Sequence, residues 1–172
     1  MQNSKSKSKI GELILIVVLI IMPFYLAFNL YFLDKYYFLC PIEYNGNLII
    51  RSDSRGKGYF GAPRSGNRLH QGIDLLAEIG TPVLAVGSGR VLVTKYTSGM
   101  GNYVIIRHSA DFISIYGHLS KIDVRKNGFL RQGGIIGRLG KTGNANHRGI
   151  LPHLHFEIRK DGVPQDPLGY LQ

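Results

Sequence analysis

The stretch ILPHLHFEIRK, residues 150–160, alternates apolar and polar side chains and places two histidines on either side of one leucine. Such alternation indicates a β-strand, because successive side chains of a strand point to opposite faces. The two predicted faces are His153, His155, Glu157 and Arg159 on one side and Leu154, Phe156 and Ile158 on the other. Two positions along a strand span about 6.6 Å, so both imidazoles can reach one small site. The stretch therefore predicts a strand with one face in a core and one face available for chemistry.

The chain around this strand contains further short runs of β type, separated mainly by glycine, of which the protein has 22. The runs are NLIIR, TPVLAV, GRVLVTKYT, NYVIIRH, FISIYGHL, GGIIGRLG and HLHFEIR. No amphipathic helical pattern follows position 40. We therefore expect an all-β domain over residues 49–172, a compact antiparallel β-sheet arranged as a sandwich or half-open barrel.

The N-terminal part of the chain has a different composition. A basic tail at residues 1–12 precedes a run without any charged residue at 13–33. As a helix this run spans about 31 Å, which matches the hydrocarbon thickness of a bilayer. Three lysines precede the run and one follows it closely, so the positive-inside rule places the N-terminus in the cytoplasm. We predict a single-pass transmembrane helix, a short stalk at 34–48 and a domain on the periplasmic, extracytoplasmic side of the cell membrane.

The net charge is +10, from 21 basic and 11 acidic residues. Such an excess favours polyanionic partners, namely nucleic acid, anionic lipid headgroups or an acidic wall polymer. The basic residues are scattered and no nucleic-acid-binding motif accompanies them, so no nucleic acid is expected as a partner. A membrane-tethered protein for nucleic-acid uptake is an interpretation that rests on charge alone.

Histidines and one aspartate are the candidate metal ligands, because the single cysteine, Cys40, excludes a multi-cysteine zinc site. His70 and Asp74 are four residues apart and fall on one face of an extended segment or of a helical turn. His118 ends a β-type run, where loops carry functional residues. A catalytic zinc ion needs three protein ligands and one open position. His70, Asp74 and one histidine of the pair in HLHFEIR supply the three, which leaves the other histidine and His118 for proton transfer.

Several motifs resemble one known family. They are RLHQGIDLLAEIGTPVLAVGSGRV, GNYVIIRH, YGHLS, GKTGN and PHLHFEIRKDGVPQDPLGYL. In this order they are similar to the motifs of the lysostaphin-like zinc metalloendopeptidases, peptidoglycan hydrolases that cut peptide cross-bridges. The resemblance covers roughly residues 58–172. It implies a compact antiparallel β domain with the active site in a groove between loops.

The resemblance also implies a role for each candidate residue. The implied roles are zinc ligation by His70, Asp74 and His155 and catalysis by His118 and His153. The chain is therefore predicted to be a membrane-anchored zinc metalloendopeptidase that hydrolyses peptide cross-links of bacterial peptidoglycan. The alternative is a non-catalytic protein on the same fold that binds the wall or regulates a hydrolase. Retention of all five positions favours the enzyme.

Three further polar residues have open roles. His108 ends the run NYVIIRH, where members of the resembled family often have a histidine, but a lone histidine is most often structural. His147 is predicted to be a loop residue. Glu157 shares the histidine face of its strand, so it either orients a metal ligand or pairs with Arg159.

Overall fold

The computed structural model of the protein describes residues 2–33, 37–44 and 46–172. Within these ranges the chain forms one α-helix, thirteen β-strands and two short 3-10 helices. The helices are α1 at Gln2–Leu33 and the 3-10 helices at Gly143–Ala145 and Pro167–Gly169. The first strands are β1 Ser52–Asp53, β2 Gly56–Lys57, β3 Pro63–Arg64, β4 Arg68–Leu69, β5 Ile73–Leu76 and β6 Pro82–Leu84. The later strands are β7 Gly89–Thr97, β8 Gly101–Arg107, β9 Phe112–Ile122, β10 Phe129–Leu130, β11 Ile135–Leu139, β12 His153–Lys160 and β13 Val163–Gln165.

Helix α1 belongs to an N-terminal unit, Met1–Tyr36, that is separate from the β domain, Tyr37–Gln172. Its side chains are exposed wherever they are described, at positions 11–12 and 14–28. Within the described part of the chain, no helix combines the length and the hydropathy of a membrane span. The predicted span at 13–33 includes positions whose side chains lie outside the described residues, namely 13 and 29–33.

Nine of the strands form one antiparallel sheet. Strands β7, β8 and β9 make a meander, and the far edge of β9 pairs first with β12 and then with β11. Strand β12 in turn pairs with β5 and with β13 along its other edge. The predicted antiparallel β domain is confirmed, and no closed barrel forms among the described strands.

Strand β12 covers the alternating stretch that the sequence singled out. Leu154, Phe156 and Ile158 are fully buried on one face and join the hydrophobic core with Ile73 and Leu75 of the neighbouring strand β5. Each such side chain contributes about 1.5–3 kcal/mol through burial. The core thus fixes which face of β12 carries the histidines.

Two short hairpins precede the large sheet. Strand β1 pairs with β2, and β3 pairs with β4. The residues on either side of the first hairpin are hydrogen-bonded to β5, since the amide of Arg51 donates to the carbonyl oxygen of Asp74 and the amide of Asp74 donates to that of Gly58. The segment 51–69 therefore lies beside the histidine face of the sheet.

Part of the predicted stalk at 34–48 packs on the β domain. Phe38 and Ile42 are buried in the core, and the amide of Leu39 donates to the carbonyl oxygen of Val86. These contacts bury apolar side chains that a free stalk would expose to water. Positions 34–36 and 45 of the predicted stalk lie outside the described residues.

Candidate metal centre

Strand pairing brings the predicted site residues together. His155 on β12 is the register partner of Asp74 on β5 and of Gly117 on β9. His118, which follows Gly117, and His153, which is two positions before His155, therefore lie close to the same point. The five predicted site residues all line one groove: His70, Asp74, His118, His153 and His155. Each of them is buried.

Three of these side chains offer donor atoms at metal-ligand spacing. Asp74 Oδ1 lies 3.1 Å from His70 Nε2 and 3.0 Å from His155 Nδ1, and the two nitrogens are 3.0 Å apart. Tetrahedral zinc with bonds of about 2.0–2.1 Å separates its ligand atoms by about 3.3 Å. The triangle therefore needs only a small expansion to hold such an ion.

The hydrogen bonds on the other side of each ring fix where the protons are. His70 Nδ1 donates to the carbonyl oxygen of Tyr59 at 2.9 Å, and His155 Nε2 donates to Glu157 Oε1 at 3.0 Å. Because both partners only accept, the remaining nitrogen of each neutral ring carries a lone pair. Two lone pairs and the Asp74 carboxylate oxygen thus face one point. Three acceptors in contact require a cation between them, and this donor set fits zinc.

Without a metal, a proton on His155 supplies the positive charge between the three acceptor atoms. Burial lowers the pKa of His155, but hydrogen bonds with Asp74 and Glu157 outweigh it and raise the pKa to about 9. Burial raises the pKa of Asp74, yet hydrogen bonds with His155 and His70 hold it well below its usual range. Both shifts show that the cluster favours a positive charge at its centre.

Glu157 takes part in both contacts that the sequence left open. Its Oε1 accepts from His155, while its Oε2 accepts from Arg159 Nε at 2.9 Å and from Nη2 at 2.7 Å. Burial raises the pKa of Glu157, but these hydrogen bonds outweigh it and lower the pKa. The ionised carboxylate orients the His155 ring, as carboxylates behind metal-binding histidines do.

Arg51 holds the second oxygen of Asp74, a role that the sequence did not predict. Its Nε and Nη2 donate to Asp74 Oδ2 at 3.2 and 3.0 Å, and Arg64 Nη2 adds a third contact at 3.3 Å. Arg51 Nη1 also donates to Asp53 Oδ2 at 2.7 Å. These bonds leave Oδ1 as the oxygen that faces the histidines. Arg51 is 23 residues from Asp74, so no local spacing could reveal the pair.

His118 lies inside β9, whereas the sequence predicted that a β-type run ends there. The strand continues to Ile122 because it changes partner at this point, from β12 to β11. Gly117 and His118 together oppose only Tyr103 of β8, which is a β-bulge. The φ angle of His118 is 63°, in the left-handed region. The bulge therefore turns this side chain toward the groove.

Two neutral imidazoles flank the ligand triangle. His118 Nδ1 donates to the carbonyl oxygen of Thr142 at 3.0 Å, and His153 Nδ1 donates to that of Leu151 at 2.7 Å. His153 Nε2 lies 3.8 Å from Asp74 Oδ1. Burial and the neighbouring histidines lower the pKa of His118 to about 3, and burial lowers that of His153. Each ring is therefore neutral near pH 7 and carries a lone pair on Nε2.

The remaining histidines lie apart from this groove. His108 Nδ1 bonds with the carbonyl oxygen of Ser88 at 3.0 Å, and Nε2 bonds with Ser114 Oγ at 2.7 Å. That hydroxyl donates to the Tyr116 hydroxyl, so His108 belongs to a buried network within the sheet. His147 is exposed in the loop before β12.

Curated proteins with similar sequences include peptidoglycan endopeptidases and an activator of murein hydrolases. The chain is 40% identical over 100 residues to the peptidoglycan DD-endopeptidase ShyC of Vibrio cholerae, a match that covers 58% of this chain and 22% of that protein. It is 37% identical over 113 residues to the murein hydrolase activator NlpD of Escherichia coli, covering 65% of this chain and 28% of that protein. The chain thus matches about a quarter of the length of these relatives.

The resemblance to the lysostaphin-like peptidases is confirmed. The catalytic domain of lysostaphin from Staphylococcus simulans has 30% sequence identity and a TM-score of 0.56, covering 69% of this chain and 90% of that one. Residues 68–167, which carry the metal centre and most of the sheet, match the family described as peptidase family M23. That match extends over more than half of the protein. The chain therefore belongs to peptidase family M23.

Proposed function

We propose that this protein is a membrane-anchored zinc metalloendopeptidase that hydrolyses peptide cross-links of bacterial peptidoglycan. The observation that carries the proposal is the convergence of three acceptor atoms at 3.0–3.1 Å, flanked by two neutral histidines in the same groove. A protein that only binds the wall needs neither a cation site nor free imidazole nitrogens beside it. Similarity to a peptidoglycan DD-endopeptidase supports the same activity.

The residues divide the chemistry of peptide hydrolysis among them. His70, Asp74 and His155 would hold zinc, which would supply a Lewis acid to polarise the scissile carbonyl and to acidify the attacking water. One of the two imidazoles, through Nε2 of His153 or of His118, would accept the proton of the attacking water and then deliver it to the leaving amine nitrogen. The protonated ring also donates a hydrogen bond to the developing oxyanion. The carbon–nitrogen bond breaks, and the products are a carboxylate and an amine.

We further propose that the run at 13–33 anchors the protein in the cell membrane, with the β domain on the extracytoplasmic side. Its freedom from charged residues and the lysines before it support this topology. The exposed apolar side chains at 14–28, which include Phe24 and Tyr25, need an apolar environment. An anchor of this kind would hold the groove near the wall.

Regulation of another hydrolase is the second candidate function. It is favoured by the 37% identity to a murein hydrolase activator. Such a role requires a surface that binds the hydrolase and makes no use of the histidines. The two functions therefore differ in whether the metal centre is needed.

The purified full-length protein distinguishes these functions. We expect about one zinc ion per chain by metal analysis, and release of cross-linked peptides from peptidoglycan, detected by mass spectrometry. The matched control is His155→Ala, which removes one ligand and should abolish both signals. Activation of a wall hydrolase by both wild type and His155→Ala, without cleavage by either alone, would favour the regulatory function.

A further inference from the structure

One wall of the active-site groove is rich in arginine. The groove has a volume of about 560 Å³, and four arginines line it: Arg51, Arg55, Arg64 and Arg68. All four come from the segment that contains the two short hairpins. Of the described residues that line the groove, only Asp74 and Glu157 are acidic.

The two carboxylates are already engaged, which leaves positive charge on the wall. Asp74 accepts from Arg51 and Arg64, while Glu157 is held by Arg159 and His155. Arg55 and Arg68 form no ion pair with any carboxylate in the described part of the chain. Arg68 donates through Nε to the carbonyl oxygen of Ser65, so the rest of its guanidinium group is available to a ligand.

The hairpin places two of these charges against each other. Arg64 on β3 and Arg68 on β4 are direct register partners, so their side chains share one face. Like charges directly opposite each other in a strand pair are destabilising. Arg64 is half-buried and Arg68 is exposed. An anion bound in the groove between them would relieve this repulsion.

We propose that Arg55, Arg64 and Arg68 form a binding site for carboxylate groups of the substrate peptide, so that the enzyme prefers anionic peptides. The inference rests on the proposed function. Guanidinium groups bind carboxylates through two parallel hydrogen bonds, which suits them to this role. A peptide is the favoured ligand because the same groove holds the metal centre and the apolar side chains of Leu69, Met100 and Ile150.

A matched pair of substrates tests the proposal. One is a cross-linked peptidoglycan peptide with free carboxylates, and the other is the same peptide after chemical amidation of those carboxylates. With full-length, zinc-loaded protein we expect kcat/KM to be at least about tenfold higher for the anionic peptide, the effect of one charge-assisted hydrogen bond. The preference should shrink as salt rises, because exposed charges are screened.

The test variants are Arg55→Gln and Arg68→Gln, singly and together. Arg64 is avoided because it also contacts Asp74. The double variant keeps only Arg64 of the proposed site, so the preference for the anionic peptide should fall severalfold, mainly through a higher KM. The matched control is Arg125→Gln, an exposed arginine that does not line the groove. It should keep the wild-type preference.

Equilibrium binding separates failure of this inference from failure of the proposed function. The protein contains no tryptophan, so the fluorescence of a tryptophan placed in each peptide reports binding. The binding partner is the His153→Ala variant, which lacks one proposed catalytic histidine and should therefore cleave the peptides slowly. Tighter binding of the anionic peptide that weakens when Arg55 and Arg68 are both replaced supports the site even if cleavage is never seen. Equal binding and equal cleavage of the two peptides overturn the inference while the hydrolase remains. Arginine-dependent binding of duplex DNA, with equal binding of the two peptides, would overturn it in favour of a phosphate polymer.

Discussion

His118 reaches the groove through a backbone conformation that is costly for a residue with a β carbon. At φ 63° the left-handed region costs about 1–2 kcal/mol relative to the usual conformations. Two hydrogen bonds hold it there, from its amide to the Met100 carbonyl oxygen and from Nδ1 to that of Thr142. Strain of this kind at a site residue indicates that the position of the imidazole matters more than local stability.

Replacing this histidine should therefore separate stability from activity. His118→Ala and His118→Gly both remove the imidazole, so turnover should fall by about 10² to 10⁴ in each. Only glycine adopts the left-handed conformation freely, so His118→Gly should be more stable than His118→Ala by about 1 kcal/mol. Chemical denaturation of the two variants measures the difference. Equal stability would mean that the bulge relaxes in the alanine variant.

The two histidines of β12 should respond differently to the same substitution. His155→Ala leaves two protein ligands, so zinc should be lost and the melting temperature should fall with it. His153→Ala keeps the ligand triangle, so zinc should stay stoichiometric while turnover drops by about 10² to 10⁴. Metal analysis and kinetics check both. Loss of zinc in His153→Ala with retention in His155→Ala would reverse the assigned roles.

Metal removal should make stability depend on pH above neutrality. The pKa of His155 is raised to about 9 in the folded, metal-free protein, above its unfolded value of about 6.5. The resulting stability is fully present below pH 6.5 and is lost as pH rises through 9. The lowered pKa of His118 acts only below pH 6.5. The melting temperature of the chelated protein should therefore fall as the pH rises from 6.5 to 9.

The zinc-loaded protein is the control for this pH series. In that sample bound metal would take the place of the His155 proton, so the melting temperature should change little over the same interval. Chelated His155→Ala should also lack the decline. An equal decline in all three samples would assign the effect to other groups.

At the scale of elements, the packing of β5 against β12 leaves no room for a side chain at Gly72. A β carbon built there would lie 2.2 Å from the carbonyl oxygen of Phe156 and 2.8 Å from Glu157 Cγ. Both neighbours belong to the strand that carries the histidines. The close approach therefore keeps the ligands of the two strands in register.

Gly72→Ala should damage both the fold and the metal centre. Separation of the strands should cost about 1–3 kcal/mol, as overpacking does, and should weaken zinc binding. Gly169→Ala is the control, because its β carbon would meet no atom within 4 Å. Thermal denaturation and zinc titration compare the variants. A Gly72→Ala protein with normal melting temperature and zinc affinity would contradict the tight packing.

How much of these elements the sequence could predict depends on their length and periodicity. The run GRVLVTKYT coincides with β7, and HLHFEIR falls within β12. Both strands were predictable because both runs are long and have a recognisable pattern of apolar and polar residues. The two-residue strands β1 to β4 leave no period to detect. The bulge at His118 was equally hidden, since only the adjacent Gly117 hinted at irregular backbone. The motif resemblance identified the five site residues, whereas the contact of Arg51 with Asp74 could be seen only in the folded chain.

At the scale of the whole molecule, the N-terminal helix and the β domain are separate units. We expect full-length protein to remain in the membrane fraction after a high-salt wash, because apolar burial at 13–33 does not depend on ionic strength. Protease added from outside should digest the β domain. Recovery of a soluble product that begins near residue 35 would instead indicate a cleaved signal sequence.

The short hairpins β1–β2 and β3–β4 pair only with themselves among the described strands, although they supply most of the arginine wall. The proposed charge preference therefore lies in a small module, whereas Asp74, His118, His153 and His155 lie on strands of the large sheet. Arg55 and Arg68 can be replaced without loss of the contacts that Arg51 and Arg64 make with Asp74. Redesign of the proposed preference would therefore vary Arg55 and Arg68 and keep Arg51 and Arg64.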